Sequence, residues 1–295
     1  LFENTGERYV YNYCANDLSD EIVGMWVCNS GIENDMVINT FAENGKSSIT
    51  TFLADENDYV VNKEGDYKVI GNLLIKTVKG DSDTPDSYIV IGLDYMPNGT
   101  ELGDIMTMYL PAYEANTTFL RIKQNLNLAE RTYDYISAYV SNAKGKDEDF
   151  TILGHTFNIA NIKAGDFDIM LRSVLFCLET KANSIKQHFL VDGVEGNIET
   201  PITVDGNKVT IDYSDVNPAL RKVEMYMYQD ADDSQLHMYM HTDAFINYFA
   251  NLEVVTLLQA GNINQTDEAA IAKVFADMEA RVESINVSFV MKARK

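Results

Sequence analysis

Apolar and polar residues alternate in short runs along most of the chain, and Gly, Asn and Asp interrupt the runs at close intervals. That pattern predicts strands joined by tight turns. Met36-Val-Ile-Asn-Thr-Phe41 and Ser48-Ile-Thr-Thr-Phe-Leu53 flank Asn44-Gly45, while Asp66-Tyr-Lys-Val-Ile70 and Leu73-Leu-Ile-Lys-Thr77 flank Gly71-Asn72. Gly and Asn accept the positive φ angles that short hairpin turns require. The expectation is a mainly β fold.

Three stretches depart from period two. In residues 126–140, Leu126, Leu128, Tyr133, Ile136 and Val140 recur at near-helical intervals, which predicts a helix stopped by Gly145 in the polar stretch that follows. We place a domain boundary there, near Lys146. A second helix is predicted from about Thr242 to Ala260, capped by Gly261, and a third from Thr266-Asp267 to about Val282.

The halves on either side of Lys146 carry a faint repeat. Ile22-Val-Gly24 recurs as Ile152-Leu-Gly154, Val69-Ile-Gly-Asn72 as Val204-Asp-Gly-Asn207, and Met108-Tyr-Leu110 as Met238-Tyr-Met240. Phe119 follows Met108 by 11 residues, whereas Phe289 follows Met238 by 51. The difference is the length of the two late helices, so we expect one β-unit duplicated, with helices inserted at about 242–283 before the last strand of the second copy.

Residues 17–27, Asp17-Leu-Ser-Asp-Glu-Ile-Val-Gly24-Met-Trp26-Val27, form a short polar turn leading into a G-x-W strand. This resembles the first strand of the lipocalin family, and the resemblance covers about residues 17–124. It implies an eight-stranded barrel closed at one end by Trp26, with a basic residue from the last strand across the ring. Arg121 is the matching candidate in Thr118-Phe-Leu-Arg121-Ile-Lys123, and Lys123 the second. A guanidinium over an indole gains cation–π energy, and its stem covers apolar surface. The second half departs from the pattern, since Thr156 stands where a Trp would follow Gly154. The two-part layout and the Val287-Ser-Phe-Val-Met-Lys292 ending are similar to secreted lipocalin-like families of Gram-negative gut commensals. That similarity implies export, to the periplasm or to the outer membrane or cell surface as a lipoprotein. The expected architecture is therefore two consecutive lipocalin-like antiparallel β-barrels or half-barrels. Residues 17–145 form the first, with a C-terminal linker helix, and 146–295 the second.

Charge narrows the partners. With 45 acids against 23 bases the chain carries a formal −22, which opposes phosphate backbones and anionic lipid surfaces, so no nucleic-acid partner is expected. No apolar run approaches the roughly 18 residues of a spanning helix. Cys14, Cys28 and Cys177 lie far apart with no C-x-x-C spacing and read as small buried side chains. An acidic shell over apolar interiors suits a monomer.

Residues 223–241 read as a hairpin around an acidic turn. Side chains alternate across a strand, so Met225, Met227, Leu236, Met238 and Met240 share one face, opposite Tyr226, Tyr228, His237, Tyr239 and His241. Two uses fit the four methionines: an adaptable wall for lipophilic ligands, or ordinary packing of a core or of an interface between the halves. His237 and His241 are too far apart on a strand, about 13 Å, to share a metal ion. The acidic clusters at 81–86 and 230–233 lack the Gly and Glu of a calcium loop and read as solvated turns. Gly45-Lys46-Ser47 has Thr40 where a phosphate loop needs its first Gly, and G-x-G-x-x-G, G-x-S-x-G and H-E-x-x-H do not occur. No catalytic residue, metal or cofactor is nominated. The expected function is an exported, non-enzymatic binding protein for a small apolar or amphipathic ligand. The rival is an envelope protein with filled barrels that contacts proteins or glycans.

Overall fold

A computed structural model describes residues 16–28, 36–53, 58–79, 83, 85–100, 103–110, 115–191, 193–230 and 233–294. The fold is two consecutive lipocalin-like antiparallel β-barrels, each of eight strands. The first runs β1 (Gly24–Cys28), β2 (Val37–Phe41), β3 (Lys46–Leu53), β4 (Asp58–Ile70), β5 (Leu73–Val78), β6 (Ser87–Thr100), β7 (Gly103–Leu110) and β8 (Ala115–Ile122). Every strand pairs with its successor in sequence, and β8 closes on β1 with Arg121 opposite Trp26. Full closure leaves no unpaired edge.

The second barrel begins at β9 (Arg131–Gly145), which lies in the stretch read as a linker helix. The error has a physical cause. Tyr133 and Tyr135 are buried two apart, but the next buried side chain is Ala138, three further on. Pairing with the last strand shifts there, with Met291 opposite Tyr135 and Val290 opposite Ser137, so Ile136 is an extra residue in a β-bulge. One bulge turned strand spacing into apparent helical spacing. It also moves the division between the barrels to the segment between Ile122 and Arg131, ahead of Lys146.

After β9 come a hairpin of β10 (Phe150–Ile152) and β11 (His155–Phe157), and α1 (Ala164–Val174), which no apolar period had suggested. Helix α1 serves the bulge: Asp168 accepts from the Tyr135 hydroxyl (2.8 Å) and the Ala138 amide (2.9 Å), and Arg172 donates to the Ile136 carbonyl (2.6 Å). Strands β12 (Leu175–Thr180), β13 (Ser184–Val191), β14 (Val194–Asp205), β15 (Lys208–Ile211), β16 (Val223–Gln229) and β17 (Gln235–Met240) follow as a meander. Helices α2 (Thr242–Gln259) and α3 (Glu268–Glu279) precede β18 (Val282–Ala293), which closes the barrel on β9. Both helices fall where the sequence put an insertion, and the Asp267 side chain caps α3 by accepting from the Ala270 amide.

Three of the repeat pairs occupy equivalent places. Gly71-Asn72 and Gly206-Asn207 turn between fourth and fifth strands, Met108 and Met238 lie on seventh strands, and Phe119 and Phe289 on eighth. The pair Gly24 and Gly154 does not match, because Gly154 turns the separate β10–β11 hairpin.

The barrels meet side by side. Val27, Met36, Ile38 and Ile122 from the outside of the first pack on Tyr226, Tyr228 and Tyr239 from the outside of the second. The tyrosine face of the β16–β17 hairpin is thus the seam. Fully buried Gln229 pins the connecting segment, accepting from the Asn127 amide (2.8 Å) and donating to the Asn127 carbonyl (2.9 Å) and the Tyr133 hydroxyl (3.1 Å). Lys123 and Arg131, on either side of that segment, both reach Asp233. Asp230 and Asp233 are therefore not the solvated turn residues their acidity suggested: Asp233 pairs with both cations, and Asp230 is buried and accepts from Ser234 (2.6 Å) and the Gln235 amide (2.9 Å). His237 stacks on Tyr228, ring centroids 4.6 Å apart and planes within 8°, and burial pushes its pKa down to about 4.

Candidate ligand-binding cavity

Each barrel has inward-facing apolar residues, but the two interiors are used differently. In the second, Met225, Met227, Met238 and Met240 are all buried and belong to one core with the side chains of α2. That helix is apolar on nearly every side, with Phe245, Ile246, Tyr248, Phe249, Leu252, Val254 and Val255 all buried. Tyr248 meets the inward ring of Phe289 at 6.2 Å, and Phe245 and Phe249 meet Phe167 of α1. The methionine wall and the side chains of α2 thus share one apolar core.

In the first barrel, one end is closed and a chamber lies beyond it. Trp26 is fully buried and donates its indole N–H to the Ile22 carbonyl (2.7 Å), which fixes the turn of residues 17–22 across the barrel end. The Arg121 guanidinium lies 4.5 Å from the Trp26 ring centroid and donates to the carbonyls of Val23 (2.9 Å) and Glu21. Its Nε faces Asp104 at 3.3 Å, and Asp104 accepts from Tyr95, whose ring meets Trp26 edge-on. Lys123, the second candidate for the indole, is instead paired with Asp233 at the seam. Gly24 has a φ of +132°, and a Cβ there would come within 3.4 Å of the Arg121 guanidinium. The glycine keeps the strand entry in a conformation that side chains rarely adopt.

The chamber has a volume of about 520 Å³. Its wall comes from seven strands, β2 to β8, with Phe41, Ile91, Met108 and Phe119 buried and Ile49 and Leu110 partly so. Among these apolar groups stand Asn39, Ser47, Thr117 and Lys76. Lys76 shares the inward face of β5 with fully buried Leu74, two residues earlier, and its ammonium lies 5.6 Å from the Phe41 ring centroid. Burial holds this ammonium below the ordinary lysine range. Among the described residues it has no carboxylate partner. Lys79 lines the same chamber and is exposed, but it faces Asp86 at 3.3 Å and Asp66 at 3.8 Å. Glu64 and Ile89, in the same lining, are also exposed.

The chamber therefore lies in the other barrel from the methionine face that the sequence singled out. Its residues are scattered over 80 positions, which no local motif reveals. One signal was present: Lys76 interrupts an apolar strand on the same face as Leu74. Cys28 and Cys177 are buried, while Cys14 lies outside the described residues. Among the described residues, no group of three or more His, Cys, Asp and Glu could hold a metal ion, and no helix is long and apolar enough to cross a membrane. A scan against protein-family models and a search of curated proteins found no match for this chain.

Proposed function

We propose that this protein binds one small apolar or amphipathic molecule inside its first barrel, without chemistry, and that the second barrel is a packed support. The chamber carries the reading. Eight-stranded barrels are the size at which an interior either fills with side chains or holds one small ligand. About 520 Å³ falls within the usual range of small-molecule sites, and an apolar wall with a few polar groups is their usual lining. The Trp26–Arg121 closure keeps one end dry, so apolar ligand surface placed against Phe41, Ile91 and Phe119 leaves water. Export to the cell envelope remains part of the proposal, resting on the sequence resemblance.

The test is titration with N-phenyl-1-naphthylamine, a neutral probe whose emission rises in apolar surroundings. Saturable one-to-one binding is expected, weakened at least about tenfold by Met108→Trp, which occupies the chamber with an indole. The Met238→Leu variant in the filled barrel retains full binding. Absence of saturable binding to the wild-type protein overturns the proposal.

A further inference from the structure

We infer that Lys76 makes the chamber selective for amphipathic anions, molecules with an apolar body and one carboxylate or comparable anionic group held against the Lys76 ammonium. The inference rests on the binding proposal above and names the ligand class for that site. It begins from a contrast between two lysines of the same strand region. Lys79 is exposed and already faces the carboxylates of Asp66 and Asp86. Lys76 points into the chamber between apolar walls, with an aromatic ring beneath it and no counter-ion among the described residues.

A cation withdrawn from water without a partner is unfavourable, and the face of Phe41 compensates only in part. A ligand carboxylate would supply the missing partner through a charge-assisted hydrogen bond, stronger inside the barrel than in water. Asn39 and Ser47, both buried in the same wall, add polar neighbours. The chamber's own acid, Glu64, is exposed and makes no ion pair with Lys76. A purely apolar chamber would have the opposite preference. It would take a long-chain alcohol over the matching carboxylate, because the carboxylate loses more hydration on entry. The sign of the preference therefore separates the two cases.

The experiment displaces N-phenyl-1-naphthylamine with dodecanoate and with dodecanol at pH 7, in the wild-type protein and in Lys76→Met, Lys76→Arg and Lys68→Met. The expected result is that wild type prefers dodecanoate by at least about tenfold. In Lys76→Met the preference vanishes or reverses while dodecanol affinity stays within about threefold. Lys76→Arg keeps a preference, and Lys68→Met, at an exposed β4 lysine outside the chamber lining, leaves it intact. Equal affinities in wild type, or a preference that survives Lys76→Met, overturn the inference and leave the binding chamber standing. Failure of the naphthylamine itself to bind wild-type protein overturns the chamber as well.

Discussion

Acid should weaken this protein through His237 before it weakens it through carboxylates. The ring is 8% exposed, stacked on Tyr228 at the seam between the barrels, and its Nε2 has no hydrogen-bond partner. Burial holds its pKa at about 4, against about 6.5 for an unfolded histidine. Between those values the unfolded chain binds a proton that the folded chain refuses, so stability falls as pH falls. The contribution is intact above pH 6.5 and fully lost near pH 4. The span of about 2.5 pH units corresponds to a loss on the order of 3 kcal/mol, of which about 2 kcal/mol is gone by pH 5. Carboxylates held low in the folded state, such as Asp212 and Asp168, are shifted in the same direction, but from an unfolded value near 4, so their stabilisation is lost only below about pH 4. The window from pH 7 to pH 5 thus isolates the histidine. Urea unfolding followed by circular dichroism, at pH 7 and pH 5, measures the loss. His237→Phe keeps an aromatic ring against Tyr228 and should flatten the decline by about 2 kcal/mol. Parallel losses in variant and wild type over that window would refute the reasoning.

Three other outcomes can be checked by thermal or urea unfolding. Arg121→Met removes the cation over Trp26 and both donors to the turn carbonyls; we expect a loss of about 2 kcal/mol and a shift in the emission of the sole tryptophan. Unchanged stability and emission would contradict the closure described above. Gly145→Ala would drive a methyl group into the Arg281 carbonyl oxygen and to 2.9 Å from Ile159, at a cost of about 3 kcal/mol or more, whereas Gly165→Ala meets nothing within 4 Å and should stabilise α1 by up to about 1 kcal/mol. Replacing Met225, Met227, Met238 and Met240 singly by Leu should each cost less than about 1.5 kcal/mol and leave probe binding in the first barrel unaltered.

The β plan, the late helices and the Trp26 end were legible because each is written locally, in turn residues, in capping residues and in a short strand motif. What escaped was written across distance. The bulge at Ile136 depends on how β9 pairs with a strand about 150 residues later, and its effect on spacing imitates a helix. The chamber is invisible for a related reason. Leu73 and Ile75 are as apolar as Leu74, so β5 alone does not say which face turns inward. The methionine face was read correctly as one face, yet its role was decided by α2, whose all-round apolar character marks a helix that needs burial on every side. Counting apolar residues around 242–259, and not only along them, would have shown a helix that needs apolar neighbours on every side, some of which the methionine face supplies.

The order in which strands leave the ribosome follows from the same long-distance pairing. The first barrel is complete once Ile122 has emerged, since β8 closes on β1. The second opens with β9 and cannot close until β18 arrives, where Arg294 meets Asp134 across 160 residues of sequence. Domains generally fold as units from the N-terminus during synthesis. For most of its production, then, the second barrel is an open sheet. Its tyrosine face has a finished surface to lie on, Val27, Met36, Ile38 and Ile122 of the first barrel. The first barrel thus shelters its successor while that barrel waits for its last strand. Interrupting translation before residue 282 should yield a folded first half joined to an aggregation-prone second.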